Sequence, residues 1–582
     1  MSLRLLVSWM ILAAAVLGLG LRTAELPPRH HAAYYAVADT DTTAPKVANV
    51  TGDSLVGMEE NGETVQLYIG SVEGMQDSTY LSADWAKRFI AREQVLLTGN
   101  VLIVDKGDSL YADTVFYDEL NKIGRAQGNV RLSDGEVVAL APSGLYFIDE
   151  KRARFSKGLR LVDSTAEITG RTGTYWTEEK RAELEGSVQL QAERTYLEAD
   201  SLTYFRETEV SLARGNVFIE RIGGENEDAA DSTMRTLLFS QWAFNDEPAG
   251  FSRIRGRPLL VQLRQDSVGA DVDTLVIRAL HLEAVDKDSL RRLTAIDSVR
   301  IWQPDLAAVA DSVIYERIKR PTQIPNTVSP ADSIQVDSIQ VDSMLVDSMQ
   351  GDWAQTDSTQ TDSVRATPAL PDSARAGPAL PGSAAQQIEE TRLYRGPMLW
   401  VGDAQISGDT IRVRGRGGEV DSLFVRQSAF VAQQDTVLAR INQVRGQNIT
   451  AFFEDDSTRI FVVGPNAETI YFQRDDEDRP DGGIQVSGDQ AIFRFRGDDP
   501  QDIKFGEHQG IYYPERALPT PFQLEGFRWV PDQRPTKAAL LHGARVLRWL
   551  AEQAALDAAT SQDTTATADA DETKGAPAPD EQ

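Results

Sequence analysis

The stretch GNVLIVDKGDSLYADTVFY, residues 99–117, contains both sequence markers that recur between residues 80 and 220 of this 582-residue chain. One marker is an Asp that follows Ala, at Asp84, Asp113 and Asp200, with intervals of 29 and 87 residues, so that the second interval is three times the first. Two markers that share one period of this length predict a repeat architecture. The other marker is a glycine that opens a short apolar run, at intervals of 29, 30, 28 and 29 residues: Gly99, Gly128, Gly158, Gly186 and Gly215.

Each repeat is predicted to contain two strands and two turns. Apolar and polar residues alternate after each glycine, as at Val101 and Ile103, and this is the two-residue period of a half-buried strand. The segment led by Asp113 alternates in the same way, and polar runs such as 105–108 separate the strands. No segment of this stretch has helical periodicity. The sequence therefore predicts an all-β, antiparallel repeat with one apolar face.

Composition narrows the classes of function. A chain of 582 residues exceeds the size at which one hydrophobic core keeps growing, so two or more domains are expected. The chain has 88 acidic and 59 basic residues, a net charge of −29, which argues against nucleic acid as a partner because phosphate binding depends on clustered Lys and Arg. The absence of cysteine excludes disulfides, thiolate metal sites and cysteine nucleophiles.

An apolar run at residues 5–21 lies between Arg4 and Arg22. The run is short for a membrane-spanning helix and long for the apolar part of a signal peptide, so a cleaved signal peptide and a retained inner-membrane anchor both remain open. Under either interpretation the rest of the chain is exported.

Changes in sequence pattern divide the chain further. An Asp-Ser pair recurs on a five-residue grid after residue 320, which matches neither helix nor strand and predicts a disordered linker. The segment after residue 535 is predicted to be a helix. One side of this helix would contain Leu540, Ala544, Leu547, Ala551 and Ala554. The predicted divisions are 1–38 leader or anchor, 39–320 first sheet domain, 321–390 disordered linker, 391–535 second sheet domain, 536–559 helix and 560–582 disordered acidic tail.

In the first sheet domain Gly-Asn-Val at 128–130 alternates with Ala-Asp-x-Leu-x-Tyr at 199–204. The second contains RGQNITAFF at 445–453, QGIYYP at 509–514 and LEGFRW at 524–529. In these motifs the sheet segments resemble the OstA-like family of periplasmic lipopolysaccharide-transport proteins, in its two-domain form. The resemblance covers about residues 48–320 and 391–535.

This resemblance implies two V-shaped β-jellyroll domains whose apolar interior shields the acyl chains of lipopolysaccharide between the inner and outer membranes. The implied location is the periplasm, in association with the cell envelope. The implied partners are lipopolysaccharide, other bridge components that add at edge strands, and further copies of the chain joined end to end. No cofactor and no metal are expected.

An open apolar groove is the expectation for the interior, because a rolled but unclosed sheet leaves its apolar face accessible. The alternating pattern selects the residues predicted to line this lipid-binding groove: Val101, Ile103, Val115, Tyr117, Val130, Leu132, Leu161, Val188, Leu190, Leu202, Tyr204, Val217 and Ile219. The alternative for these side chains is a closed core, and the alternative function is a secreted or surface β-solenoid that acts as an adhesin or structural interaction protein.

Catalysis is not expected. The repeated Asp residues, Asp311 included, are predicted as strand-start or turn residues that accept hydrogen bonds from backbone N–H groups, because one Asp at a fixed slot is typical of turn chemistry. The chain contains no HExxH, no Gly-x-Ser-x-Gly and no P-loop. A non-enzymatic binding protein is therefore the prediction.

Overall fold

The computed structural model describes residues 49–76, 78–223, 234–264, 273–287, 290–304, 306–319, 387–416, 419–454, 457–496, 499–543 and 545–552. The strands within these ranges form one sheet of 34 strands in which every pairing is antiparallel, so the predicted all-β class is confirmed. The predicted leader, almost all of the predicted linker and the predicted acidic tail lie outside the described residues.

The strands are β1 (Asn49–Thr51), β2 (Ser54–Glu60), β3 (Glu63–Gln76), β4 (Thr79–Phe89), β5 (Gln94–Asp105), β6 (Asp108–Asp118), β7 (Ile123–Ser133), β8 (Val138–Phe147), β9 (Arg152–Phe155), β10 (Leu159–Val162), β11 (Ala166–Gly170), β12 (Thr172–Trp176), β13 (Arg181–Ala192), β14 (Thr195–Phe205), β15 (Val210–Ile222), β16 (Met234–Asp246), β17 (Phe251–Arg255), β18 (Leu259–Arg264), β19 (Asp273–Arg278), β20 (His281–Lys287), β21 (Leu290–Trp302), β22 (Leu306–Lys319), β23 (Gln387–Tyr394), β24 (Met398–Val401), β25 (Ala404–Ser407), β26 (Thr410–Arg416), β27 (Glu419–Asp435), β28 (Arg440–Glu454), β29 (Ser457–Gly464), β30 (Ala467–Arg474), β31 (Pro480–Gly488), β32 (Ala491–Arg496), β33 (Asp499–Phe505) and β34 (His508–Pro514). Single 3-10 turns follow at Glu515–Ala517 and Pro531–Gln533, and the helix α1 spans Lys537–Leu540.

The 29-residue repeat corresponds to two long strands, each bent at its middle. In β5 the pairing with β6 runs to Thr98, skips Gly99 and Asn100, and resumes at Val101. Gly99 and Asn100 have φ angles of 79° and 46°, and two successive left-handed residues form a bulge that turns the strand. The same bulge recurs in β7 and β15, so Gly99, Gly128 and Gly215 mark bends within strands.

The neighbouring strand supplies an Asp that fits over this bulge. Asn129 Nδ2 donates hydrogen bonds to Asp113 Oδ1 and Oδ2 at 3.2 and 3.0 Å, and equivalent pairs join Asn100 to Asp84 and Asn216 to Asp200. A Cβ atom at Gly128 would lie 2.1 Å from Asp113 Oδ2, so only glycine leaves room for the carboxylate.

The prediction for these Asp residues was therefore wrong in position and in partner. They lie in the middle of their strands, and they accept hydrogen bonds from asparagine side chains. Asp311 occupies the same place in β22, where it pairs with Arg395 at 2.9 Å. The sequence pattern located the repeated residue, but only the pairing of two bent strands shows what it contacts.

The bends fold the strands into two facing walls that share a corner. Wall 1 contains strand halves such as 101–105 and 108–112, and wall 2 contains halves such as 94–98 and 114–118. The hairpin turns at the free end of each wall form two rows, which we call rim 1 and rim 2.

Rim 2 repeats with a strict period. Its left-handed turn residues recur every 29 residues, and their backbone carbonyls accept hydrogen bonds from the next turn, as between Arg206 N and Lys180 O at 3.0 Å. These residues are Glu93, Lys122, Lys151, Lys180 and Glu209.

The two predicted sheet domains form one continuous sheet. Strand β22 pairs with β23 from Ser312 and Tyr394 to Lys319 and Gln387, and it also pairs with β24. The described residues on both sides of this junction belong to one compact unit. One apolar cluster between the walls extends from Val72 to Phe493.

The segment 515–552, which we call the C-terminal strap, packs on the outer face of the sheet. Leu524 N donates to Gln443 Oε1 at 2.9 Å, and Val530 N donates to Gln405 Oε1 at 3.0 Å, so buried glutamines bind the strap backbone. Two of the sequence segments that carried the family resemblance, around 445–453 and 524–529, are thus a strand and the strap next to it. The strap covers three apolar clusters, one of which includes Phe218, Leu237, Phe239, Leu540, Leu541 and Val546.

The helix in the strap differs from the predicted one. Residues 545–552 are helical, but α1 ends at Leu540 and Gly543 lies outside both helical segments with a φ of 142°. Leu547, predicted on the same side as Leu540, is 56% exposed, whereas Leu540, Leu541 and Val546 are buried. The interruption rotates the second segment, so a single helical period could not identify the buried side. Ala544 and Ala554 lie outside the described residues.

We expect Gly128→Ala to destabilise the protein more than Gly135→Ala, which changes another glycine with a left-handed backbone. Gly135 has a φ of 90°, and no atom lies within 4 Å of the position that a methyl group would take there, so Gly135→Ala measures the backbone strain alone. The clash with Asp113 should cost about 2 kcal/mol beyond that control, measured by urea unfolding. The double variant Gly128→Ala/Asp113→Ala should recover part of the lost stability. Equal losses of stability in Gly128→Ala and Gly135→Ala would contradict the proposed contact.

A buried glutamate, Glu389, lies beside Arg317 at the junction between β22 and β23. Glu389 is 1% exposed, neither of its carboxylate oxygens accepts a hydrogen bond from the described residues, and Arg317 Nε lies 3.8 Å from Oε1. Burial raises the pKa of Glu389 to about 7, and the Arg317 guanidinium opposes this rise only in part. Between the ordinary pKa of a glutamate and about pH 7, Glu389 is therefore protonated in the folded protein and ionised in the unfolded chain.

We expect the free energy of unfolding to fall as the pH rises through this interval, because only the unfolded state gains from ionisation of Glu389. Glu389→Gln should remove a decrease on the order of 1–3 kcal/mol between pH 5 and pH 8, measured by urea unfolding at both values. The control is Glu390→Gln on the opposite side of the strand, which should leave the pH dependence in place. A constant difference between Glu389→Gln and the parent at both pH values would refute the assignment.

Candidate functional site

The interior between the walls collects the residues predicted to line a groove. Ten of the thirteen are buried members of the single apolar cluster, Ile103 packs against it, and Tyr117 and Tyr204 are half-buried. The side chains of the two walls meet in this cluster, whereas the sequence analysis expects an open groove. Contact of these residues with lipid stays a prediction. The ten buried residues are Val101, Val115, Val130, Leu132, Leu161, Val188, Leu190, Leu202, Val217 and Ile219.

Two adjoining pockets remain between the walls near β10 to β15. Their volumes are about 20 and 30 Å³, enough for about two water molecules each and far less than a twelve-carbon chain needs. Leu161 lines the smaller pocket, Leu190 and Leu202 line the larger one, and Tyr204 lines both. The structure therefore brings four of the predicted groove residues to one place where the packing is incomplete.

Ion pairs between the two rims close the interior on the side away from the corner. Lys151 Nζ of rim 2 lies 3.4 Å from Asp105 Oδ2 of rim 1. One repeat further, Lys180 Nζ lies 2.9 Å from Asp134 Oδ2. The two residues of each pair are 46 positions apart in the chain, and the second pair lies 29 positions after the first. The two pairs therefore form a repeating latch.

Asp134 is the most strongly held member of this latch. Its side chain is fully buried, its Oδ2 accepts hydrogen bonds from Tyr175 at 2.5 Å and from Lys180, and Arg206 Nη1 lies 3.4 Å away. Burial opposes ionisation, but the bonds from Tyr175, from the backbone N–H of Val137 and from Lys180 outweigh it and lower the pKa of Asp134 well below its usual range. The carboxylate is thus charged at neutral pH and ties wall 1 to wall 2.

Both ends of the sheet have edge strands on which the described residues place no partner. Strand β2 pairs only with β3 and exposes Leu55 and Met58. At the other end β34 pairs only with β31 and exposes Ile511 and Tyr512. Such edges can accept a further strand.

The described residues show neither a metal-binding cluster nor a membrane-spanning helix. They include no group of three His, Asp or Glu side chains placed to bind a metal ion. Within the same residues no helix has the length and hydropathy needed to cross a membrane.

Comparison with known proteins identifies the repeat region. Residues 45–220 match the family described as OstA-like protein. This part of the chain is similar to that family. The matched residues include the bent strands with the Asp and Gly-Asn markers. They also include all the residues that line the two pockets except Asn245 and Glu247 of the larger one. No curated protein matches the chain.

Among solved structures, the chain is similar to LptH from Pseudomonas aeruginosa, described as the LptA-homologous periplasmic component of the conserved lipopolysaccharide transport device. The two are 18% identical over 24% of this chain and 82% of LptH, with a TM-score of 0.14. That overlap is too small to extend any property of LptH to this chain.

The latch is not predicted from the sequence, although its signal is present there. Asp105 and Asp134 are 29 residues apart, as are Lys151 and Lys180, and both spacings equal the repeat period. Alternation identified the apolar residues inside the walls. It did not indicate that charged turn residues 46 apart would meet across the interior, because that contact exists only once the walls face each other.

We expect Asp134→Asn to destabilise the protein by about 1–3 kcal/mol at neutral pH, because the amide keeps the Oδ1 acceptor of the turn but loses the charge that binds Lys180. The same change at the exposed Asp149 of rim 2 is the control. Because the folded-state pKa of Asp134 is lowered, its contribution is complete above about pH 3.9 and declines as the pH falls further. The difference in unfolding free energy between the parent and Asp134→Asn should therefore shrink below pH 4; a difference that grows in acid would rule out the charged latch.

Proposed function

We propose that this protein binds the acyl chains of lipopolysaccharide between its two walls and carries them across the periplasm as part of a bridge between the inner and outer membranes. The observation that carries the proposal is the single apolar interior, which extends along one continuous sheet from Val72 to Phe493. The OstA-like match over residues 45–220 supports this proposal.

The walls must separate for such a ligand to enter. Sheet hydrogen bonds run between neighbouring strands and turn the corner with them, so separation at the rims breaks side-chain contacts and ion pairs but few backbone bonds. A twelve-carbon chain gains about 8–10 kcal/mol when it is buried, at about 0.8 kcal/mol per CH₂. The half-exposed pair of Lys151 and Asp105 contributes about 0–1 kcal/mol, and the buried Asp134 contributes about 1–3 kcal/mol. Acyl burial can offset the loss of both.

The exposed edges support the bridge part of the proposal. Both β2 and β34 carry exposed apolar side chains beside free backbone groups, and strand addition there would extend the interior into a second copy or into another bridge component. We propose that both kinds of partner bind at these edges.

The packed interior favours a second candidate, a structural or interaction protein with no lipid ligand. In that case the ten buried groove residues serve only as a core, and the exposed edges serve only for assembly. The two candidates differ in whether an acyl chain ever reaches the interior.

A photo-crosslinking amino acid at positions 190 and 202 should capture lipopolysaccharide in cells, because both side chains line the larger pocket between the walls. Position 111 is the matched control, since Tyr111 in the same repeat region is exposed. We expect at least tenfold more lipopolysaccharide adduct from 190 and 202 than from 111, measured by immunoblot after irradiation. Equal adduct at all three positions, in variants with parental thermal stability, would favour the structural candidate.

A further inference from the structure

We propose that a buried polar cluster at the junction between β22 and β23 binds a hydroxyl group that an acyl chain carries close to its head. This inference rests on the proposed function, because it names the kind of acyl chain that the same interior prefers. The occupant is a single acyl chain with one hydroxyl group, and its head stays outside the walls.

Neighbouring strands place this cluster on the inner face of the sheet. Arg291 of β21 pairs in register with Arg317 of β22, and Arg317 pairs in register with Glu389 of β23. Tyr315 belongs to the apolar cluster between the walls and lies two residues before Arg317. Side chains two residues apart lie on one face of a strand, so these residues form one group, which we call the junction cluster.

Tyr315 and Glu389 have polar atoms that are buried without a hydrogen bond. Each residue is 1% exposed, and within the part of the chain that the structure describes no hydrogen bond reaches the Tyr315 hydroxyl or either carboxylate oxygen of Glu389. Arg317 Nε lies 3.8 Å from Glu389 Oε1, which is too far for a hydrogen bond. Burial of a polar group without a hydrogen bond is costly, so a ligand that supplies these bonds gains affinity here.

The Tyr315 hydroxyl and the Glu389 carboxylate are close enough to contact one ligand group. Tyr315 pairs in register with Thr391, which makes Glu389 its diagonal neighbour on β23. Diagonal neighbours lie about 7–8 Å apart, within reach of aromatic and long side chains. Burial and then the negative charge of Glu389 raise the pKa of Tyr315, as expected for a phenol near this carboxylate. A single hydroxyl group can therefore bridge the two side chains.

The next strand leaves space beside Glu389. Gly415 of β26 pairs in register with Glu389 on one side and with Val420 of β27 on the other. Glu389 and Val420 are thus two strands apart, about 10 Å, and at this register β26 places no side chain between them. The setting suits an aliphatic chain with one polar group. The surrounding buried side chains are apolar: Leu293, Val313, Leu393, Val413 and Leu423.

The charges of the junction cluster favour a neutral group. A phosphate or a carboxylate would be repelled by Glu389, an ammonium group would be repelled by Arg317, and either ion would also lose its hydration. A hydroxyl group can accept a hydrogen bond from the Tyr315 hydroxyl and donate one to a Glu389 oxygen. Because β23 begins at Gln387, two residues before Glu389, the cluster lies near the free end of the wall, where the head of the occupant remains outside.

The site is tested with acids of equal chain length, which are titrated into the purified full-length chain by isothermal titration calorimetry. Dodecanoic acid has no hydroxyl group, β-hydroxydodecanoic acid has one close to the head, and ω-hydroxydodecanoic acid has one at the far end. Because all of these acids have the same charged head, their affinities differ only through the hydroxyl group. We expect the parent to bind the β-hydroxy acid at least fivefold more tightly than either of the others.

Tyr315→Phe should reduce this preference to less than twofold, because it removes only the phenol oxygen that donates to the ligand. The matched control is Tyr394→Phe, which makes the same chemical change on the same strand as Glu389. Tyr394 lies five residues after Glu389 and therefore on the opposite face of β23. The control should keep the full preference for the β-hydroxy acid.

Equal affinity of the parent for all of these acids would overturn the hydroxyl site and leave the proposed function standing. An undiminished preference in Tyr315→Phe would do the same, as would an equal loss of preference in Tyr315→Phe and Tyr394→Phe. Failure of the parent to bind any of the acids would overturn both the hydroxyl site and the proposed function.

Discussion

The fold depends on one repeated contact, in which an Asp carboxylate on one strand lies over a glycine on the next and accepts two hydrogen bonds from the asparagine that follows it. The glycine has to be left-handed and has to lack a Cβ, since a methyl group at Gly128 would lie 2.1 Å from the carboxylate of Asp113. A bulge of this kind turns a strand without ending it. Repetition every 29 residues aligns the bends, and an otherwise flat sheet becomes two walls with a common corner.

The shared corner determines how the interior between the walls is closed. The walls are continuous at the corner, and on the opposite side they are held together by side chains only. Apolar residues from both walls fill the space between them, while Asp105 with Lys151 and Asp134 with Lys180 tie the rims together. A closed interior of this kind can open about its corner like a hinge, because the sheet hydrogen bonds lie within the walls. The proposed lipid binding requires the walls to separate in this way.

Beyond the OstA-like region the same construction continues with a different outer face. Strands β15, β16, β18 and β19 have apolar side chains on both faces, and the C-terminal strap covers the outer face with Leu540, Leu541 and Val546. The strap also contacts the strands after the junction, through Gln405 and Gln443. Strands on both sides of residues 320–386 are thus held in one sheet by direct pairing and by one covering segment.

The sequence by itself determined the class of the fold, the period of its repeat, the positions of the repeated glycines and the identity of the inward-facing residues such as Val115 and Leu202. These properties are local, because alternation and left-handed glycines act within a few residues of the chain. It also provided the family resemblance over the first sheet segment, which the match to residues 45–220 confirms.

Only the tertiary structure decided which residues meet across the interior and how far the sheet extends. The partner of Asp113 is an asparagine on the next strand, the partner of Asp134 is a lysine 46 residues away, and β22 pairs with a strand that begins at Gln387. The buried side of the strap depends on a break at Gly543 that a uniform helical period hides. Each of these contacts joins residues distant in sequence, so it depends on the bends of many strands at once, and no local pattern contains it.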